Sequence, residues 1–285
     1  MQNTGFERRE YRPLVGETVY DLIKRLRESG VKTPTTKMIK TAEQIEGCRE
    51  AGRINSLVLD AVEKNLTVGM STADIDDIVA EETRLLGGRA ATLGFEGFPK
   101  SVCTSVNNVV CHGIPSKKHI IREGDILNVD CTTVYGGYFG DASRMFTFGS
   151  ISDEAEKLVR VTKEAVELAV SDIKPYVSHL GDIGYIINRH AKANGFSVVR
   201  EIGGHGVGLA MHEDPFVCHT GLYGSGMVLL PGMIFTIEPM VNAGRAKVYV
   251  DPKDGWTVYT LDGSLSAQIE YEILITEDGT EILSK

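Results

Sequence analysis

Apolar residues recur along this chain with two periods, helical stretches first and strand-like stretches after them, and that order is run through twice. Val19, Leu22, Ile23 and Leu26 share one helical face, and Gly30 ends the pattern. The stretch Thr41 to Gln44 (TAEQ) is a capping-box signature. It opens a helix with Ile45, Cys48, Ala51, Ile54, Val58 and Val62 on one side. A further helix is predicted from Ser71 to Leu86, stopped by Gly87 and Gly88. The second half mirrors this with helices near 153–173 and 180–194, the latter ended by Gly195. Strands are predicted after each pair, over 91–110 in the first half and from 196–202 onward in the second. Helices followed by strands predict an α+β fold, an antiparallel sheet with helices on its outer face.

The clearest strand pair lies in GDILNVDCTTVYGGYFGD (124–141), where Gly136-Gly137 supplies the positive φ angles of a tight primed turn. Around that turn opposed residues have numbers summing to 273, so Asp130 faces Ser143 and Thr132 faces Asp141. Asp130 and Asp141 become diagonal neighbours on one face. Taken alone, this hairpin fits a solvated sheet face as well as a cation site. GMIFTIE (232–238) then repeats the pattern of GDILNVD (124–130) at an offset of 108, ending in Glu238 where the first ends in Asp130. The stretch SAQIEYEILIT (266–276) reads as a strand with Glu270 near its start, a counterpart to Asp141. A histidine with a proline three residues later precedes each unit, His112 in CHGIP and His212 in MHEDP. Two copies of one supersecondary unit thus bring acids and a histidine to a shared centre.

Length, charge and cysteine content narrow the class. The 285 residues can bury a substantial core as one large domain or two small ones. A net charge of −9 argues against a surface for non-specific nucleic-acid binding. The five cysteines include no C-x-x-C pair and are read as reduced thiols, most of them packed in the core. No apolar run reaches the ~18 residues of a membrane span, and MQNTGFERREYRP at the N-terminus lacks a signal-peptide core. A cytoplasmic protein with no membrane or nucleic-acid partner is the expectation.

Asp130, Asp141, Glu238 and Glu270 supply four hard oxygen donors, and His205 in GGHGVGLAMH joins them, its flanking glycines read as letting backbone approach a ligand. Buried acids that converge repel one another and lose hydration unless a cation sits among them. The donor set suits Mn, Fe, Co or Zn, and carboxylates can bridge two such ions. It lacks the short-spaced Cys and His of a structural zinc site. His112 and His212 fit three roles equally: contacts to a substrate carbonyl, further ligands, or packing. The chemistry so assembled is that of a hydrolase with a dinuclear metal centre.

At these residues the chain resembles the type I methionine aminopeptidases, which remove initiator methionine. The matching stretches are FPKSVCTSVNNVVCHGIP (98–115), GDILNVD (124–130), GDASRMF (140–146), GHGVG with MHEDP (204–215), GMIFTIEPMVNAG (232–244) and LSAQIE (265–270). The resemblance covers 39–285 and sets 1–38 apart as an N-terminal extension with one amphipathic helix, expected to dock on the main body through a linker at 32–37. It implies the pita-bread (creatinase/aminopeptidase) fold with pseudo-two-fold halves. It implies two divalent ions, with Asp141 and Glu270 bridging both, Asp130 binding one, and His205 with Glu238 binding the other. It also implies that His112 and His212 contact substrate, that Glu238 shuttles a proton, and that Phe95, Phe98, Cys103, Met211 and Trp256 line the methionine pocket. Its substrates are nascent peptides with a small second residue, met with a transient ribosome contact, and the expected state is a monomer. Glu96 stands where several relatives carry histidine, Phe95 and Phe98 lack the hydroxyls of common tyrosines, and Met211 replaces a frequent phenylalanine. Two rivals remain in view. An Xaa-Pro peptidase of the same fold is disfavoured by SVNNVVCHGIP and LSAQIE, and an inactive binding module by retention of all five ligand positions.

Overall fold

The computed structural model describes residues 9–285, so the first eight residues of the 1–38 extension lie outside it. Among the described residues five α-helices form where capping and apolar period coincide: α1 (Val19–Glu28), α2 (Ala42–Asn65), α3 (Thr72–Leu85), α4 (Asp153–Asp172) and α5 (Leu180–Ala193). The predicted box at α2 is present, with the Thr41 amide donating to Gln44 Oε1 at 2.9 Å and the Gln44 amide to Thr41 Oγ1 at 3.3 Å. Thr18 and Ser71 begin α1 and α3 by the same reciprocal device. Cys48, Ala51, Ile54, Val58 and Val62 of α2 are buried as their spacing predicts. No described helix is long and apolar enough to cross a membrane.

The strands of the first half are β1 (Arg89–Ala90), β2 (Cys103–Val106), β3 (Val109–Cys111), β4 (Ile126–Tyr135) and β5 (Tyr138–Thr147). Those of the second are β6 (Ser197–Val198), β7 (Gly204–Gly206), β8 (Glu213–Val217), β9 (Ile234–Ile237), β10 (Met240–Asn242), β11 (Val248–Val250), β12 (Val258–Thr260), β13 (Ser266–Gln268), β14 (Tyr271–Ile275) and β15 (Thr280–Ser284). The predicted register of β4 and β5 holds, Asp130 opposite Ser143 and Thr132 opposite Asp141. Gly136 and Gly137 turn the hairpin at φ 59° and 89°, as a primed turn requires. The repeat appears as two antiparallel ladders of the same kind, β2-β4-β5 and β7-β9-β14. This is the pita-bread architecture, with helices packed outside the sheets.

Four expectations change. The strand expected over 91–110 is reduced to β2 and β3, because a 3-10 turn at Phe95–Gly97 and left-handed Gly94 and Gly97 interrupt it. The strand expected over 266–276 is broken at Ile269-Glu270 into β13 and β14, which join different sheets. The segment 196–202 is extended only at β6. Finally, the second unit is no tight hairpin: β9 pairs with β14, more than thirty residues further on, and the intervening chain builds β10 to β13.

The largest apolar cluster joins α4, α5, β9 and β14, and includes Val161, Ile187, Phe235 and Ile273. Leu22, Ile23 and Leu26 of α1 belong to it and are at most 3 % exposed. The extension is further tied by Tyr11 N–H to Tyr176 O at 2.9 Å, and by Val228 N–H to Lys32 O at 3.0 Å. A second cluster packs α2 and α3 on β4.

Candidate metal centre and its pocket

Both ladders deliver carboxylates to one place because β5 of the first runs against β14 and the break before it in the second. Asp130 lies within β4 and Asp141 within β5, while Glu238 follows the last residue of β9. Glu270 sits at the break between β13 and β14. Its N–H donates to Ser143 O at 3.1 Å and its carbonyl accepts from Ser143 N–H at 3.4 Å. Since Ser143 also faces Asp130, that single bridge lays Asp130, Ser143 and Glu270 side by side across the join between the halves.

His205 projects from β7. Its Nδ1 lies 3.0 Å from Gly206 O. A carbonyl only accepts, so Nδ1 carries the proton and Nε2 presents a lone pair. Nε2 is 3.4 Å from Glu238 Oε1 and 3.7 Å from Asp141 Oδ2. One donor atom each from Asp141, His205 and Glu270 all lie within 4.8 Å of one another. The flanking glycines serve a purpose other than the expected approach of a ligand. A Cβ on Gly204 would meet Thr236 O at 2.3 Å, and one on Gly206 would meet Asp214 O at 2.1 Å. They admit neighbouring strands.

Electrostatics agree with the geometry. Burial pushes the Asp130 carboxyl up to about 7. Burial, then the charge of Asp130, holds Asp141 and Glu238 well above the ordinary carboxylate range. Burial and then Asp141 do the same for Glu270. The His205 imidazole is pushed down to about 3, by burial first and His212 next, so it is neutral. Without a cation, such a cluster must retain protons; with divalent ions it offers oxygen donors and a neutral imidazole. The residues present therefore fit the divalent metal.

Asp141 and Glu238 are also held from behind. Thr132 Oγ1 donates to Asp141 Oδ1 at 2.8 Å, and Glu272 Oε2 accepts the Asp141 amide at 2.9 Å. Thr236 Oγ1 donates to Glu238 Oε1 at 2.7 Å and Gln268 Nε2 to Glu238 Oε2 at 3.0 Å. His219, fully buried, accepts the Glu238 amide at 3.2 Å. Sequence reasoning missed all of these supports. Thr236 and Gln268 each stand two residues before a carboxylate, a strand-period signal that would have found them. His219 carries no such signal.

Above the acids opens a cavity of about 450 Å³. It is lined by Phe95, Phe98, Cys103, Met211 and Trp256 together with His112, His212 and all five ligand candidates, so every predicted site residue reaches it. Phe98 and Trp256 meet edge-to-face at 5.2 Å. His212 packs edge-on against His205 at 4.2 Å and Phe95 at 5.1 Å. His112 sits at φ 55°, a left-handed backbone that costs a non-glycine residue energy. Burial, then His212, pushes its imidazole down to about 4. Glu96, expected at the pocket rim, lines the cavity, and Glu201 and Phe216 add lining that sequence reasoning did not assign.

Known proteins share this fold and much of this sequence. The chain matches metallopeptidase family M24 over residues 46–277. It is 46% identical to methionine aminopeptidase A of Synechocystis over 250 residues, 87% of this chain and 98% of that protein. The crystal structure of methionine aminopeptidase from Rickettsia prowazekii superposes with a TM-score of 0.84 at 39% identity, covering 87% of this chain and 99% of that one. Prolidase from Pyrococcus furiosus reaches a TM-score of 0.69 at 25% identity, covering 87% of this chain but 65% of its own. With the match over most of its length and the identity to these enzymes, the chain belongs to metallopeptidase family M24, among its methionine aminopeptidases.

Proposed function

We propose that this enzyme removes the initiator methionine from nascent polypeptides with a small second residue, in the cytoplasm, using two divalent ions drawn from Co, Mn, Fe or Zn. The observation that carries the reading is the position of the apolar cavity directly over a cluster of four acids and a neutral imidazole. Asp130, Asp141, His205, Glu238 and Glu270 would hold the ions, Asp141 and Glu270 between both. When bound, the ions polarise the scissile carbonyl and activate water.

The chain's own residues do the rest. Phe95, Phe98, Cys103, Met211 and Trp256 take the methionine side chain and exclude water from it. His112 and His212 lean over the acids and donate to the carbonyl oxygen as charge develops there. Glu238 is already bonded to Gln268 and Thr236, and it moves a proton from water to the leaving amine. The crowding of the two histidines restricts the second residue to small side chains.

The test gives metal-stripped protein Mn(II) or Co(II) and three peptides, Met-Ala-Ser, Met-Leu-Ser and Ala-Pro-Ala. Burying a methionine side chain is worth roughly 1.5–3 kcal/mol, so Met is expected over Ala at the first position by about ten-fold or more. Free methionine from Met-Ala-Ser, with Met-Leu-Ser cut poorly, is the expected outcome. Cleavage of Ala-Pro-Ala alone would convert the reading to an Xaa-Pro peptidase. No cleavage by metal-loaded protein would make it a binding module.

A further inference from the structure

His212 stands on an exposed loop, yet its imidazole must hold a fixed place over the acids. Among the described residues its ring makes two edge-on ring contacts and no hydrogen bond, so its position is inherited from the backbone that carries it. That backbone is organised by one side chain. Glu213 Oε1 accepts the amides of Leu209 at 2.6 Å and Ala210 at 3.0 Å, closing the loop that presents Met211 and His212. The other oxygen, Oε2, takes the ammonium of Lys40 at 2.5 Å.

Lys40 is an unusual anchor. Its side chain is 2% exposed, and a buried ammonium is costly unless paired. Its backbone is fixed on both sides: Lys40 N–H donates to Gly232 O at 2.8 Å, Ile39 bridges Met233, and Thr41 caps α2. The loop rests directly on the lysine stem. A Cβ on Gly208 would lie 3.5 Å from Lys40 Cε and 2.6 Å from Cys48 Sγ. Gly208 is joined in turn to β5 by the Phe139 amide at 3.0 Å. A charge pair linking the start of α2 to the rim of the pocket, 173 residues away in sequence, is an expensive way to fasten a surface loop.

We propose that Lys40 is a positioning residue for the reaction. Its ammonium fixes Glu213, and Glu213 fixes the loop that sets His212 and Met211 against the substrate. The proposal rests on the reading of His212 as a substrate contact. Lys40 itself lies outside the pocket and touches neither the acids nor the space for substrate.

A double-mutant cycle tests it on full-length, metal-loaded protein hydrolysing Met-Ala-Ser, with metal content and melting temperature measured alongside. Lys40→Met keeps the apolar stem and removes the charge. It is expected to lower kcat by about ten- to a hundred-fold, the scale of a small misplacement of a reacting group. Metal content should be unchanged at a temperature well below its melt, and Lys40→Arg should restore most of the rate. In a His212→Ala background, Lys40→Met should add less than about two-fold, because both changes interrupt one path. Effects that multiply would overturn the proposal, as would loss of metal, which would make the pair a support for β7 and His205. A normal rate in Lys40→Met beside an impaired His212→Ala would sink the proposal alone, whereas an unimpaired His212→Ala would sink the underlying reading with it. Should Lys40→Met fail to fold, Glu213→Gln breaks the same link and is held to the same outcomes.

Discussion

Glu270 shows how a single residue is prepared for its role. It is 2% exposed, its backbone is locked by a reciprocal bridge to Ser143, and its carboxyl is crowded by Asp141, Glu238 and Asp130. In the metal-free protein this is a destabilised position, since burial and like charge both act against ionisation. Glu270→Ala should therefore leave the metal-free fold intact, with a melting temperature no lower than that of the parent, because repulsion among the remaining acids falls. Metal content per chain should drop. The loss of metal-assisted charge stabilisation is worth several kcal/mol, so kcat should fall by at least about 10³. Elemental analysis and turnover on Met-Ala-Ser decide it, and near-normal activity at full metal content would refute the role given to Glu270. The ligand candidates were legible in the sequence because they end or interrupt strands with a charge where an apolar residue is expected. Of their supports, Thr236 and Gln268 left a strand-period trace that polar residues facing solvent leave as well, and His219, in the turn after β8, left none.

At the scale of elements, legibility followed locality. The register of β4 with β5 could be read to the residue because a Gly-Gly turn fixes it by geometry. The pairing of β9 with β14 could not, because nothing local connects them and the intervening chain folds into other sheets. The break at Ile269-Glu270 was likewise hidden: apolar and polar residues alternate without interruption from Ala267 to Ile273, while the bridge to Ser143 marks where the chain passes from one sheet to the next. The α1 pattern was legible as a helix but not as part of the largest core cluster. Burying three aliphatic side chains is worth about 1.5–3 kcal/mol each before ordering costs are subtracted. No residue before Thr92 lines the cavity. Deleting residues 1–38 should therefore cost a few kcal/mol of stability while sparing kcat/KM on short peptides below the melt. Chemical denaturation and peptide kinetics on the truncated protein check both halves. A truncated protein that is stable but inactive would place the extension in the catalytic unit.

The whole molecule brings two half-folds together at their most unfavourable point, and pH exposes what that costs. Asp130 is raised to about 7, and Asp141, Glu238, Glu270 and Glu272 are held well above the ordinary carboxylate range, by burial first and then by neighbouring acids. An unfolded carboxyl titrates near 4, so around neutrality the metal-free folded state binds more protons than the unfolded chain. Stability must then fall as pH rises through the folded values. His112, His205 and His219 act in the opposite sense. Their folded values are depressed to about 4, 3 and 3, so they contribute stability above the unfolded value near 6.5 and lose it as pH falls. The two effects oppose each other until the unfolded histidines have lost their protons, about one unit above 6.5, and beyond that the acids dominate the response. From about pH 7 to pH 8 the acid cluster leads the response, because unfolded histidines are mostly neutral there and unfolded thiols mostly protonated. In that window the metal-free protein should lose melting temperature as pH rises. The metal-loaded protein, whose acids would release their protons to solvent on binding the ions, should hold it. Differential scanning calorimetry at constant ionic strength, with and without Mn(II), measures both curves. A metal-free melting temperature that stays level or climbs between pH 7 and pH 8 would mean that the cluster carries no shared protons and that the halves meet without the strain inferred here.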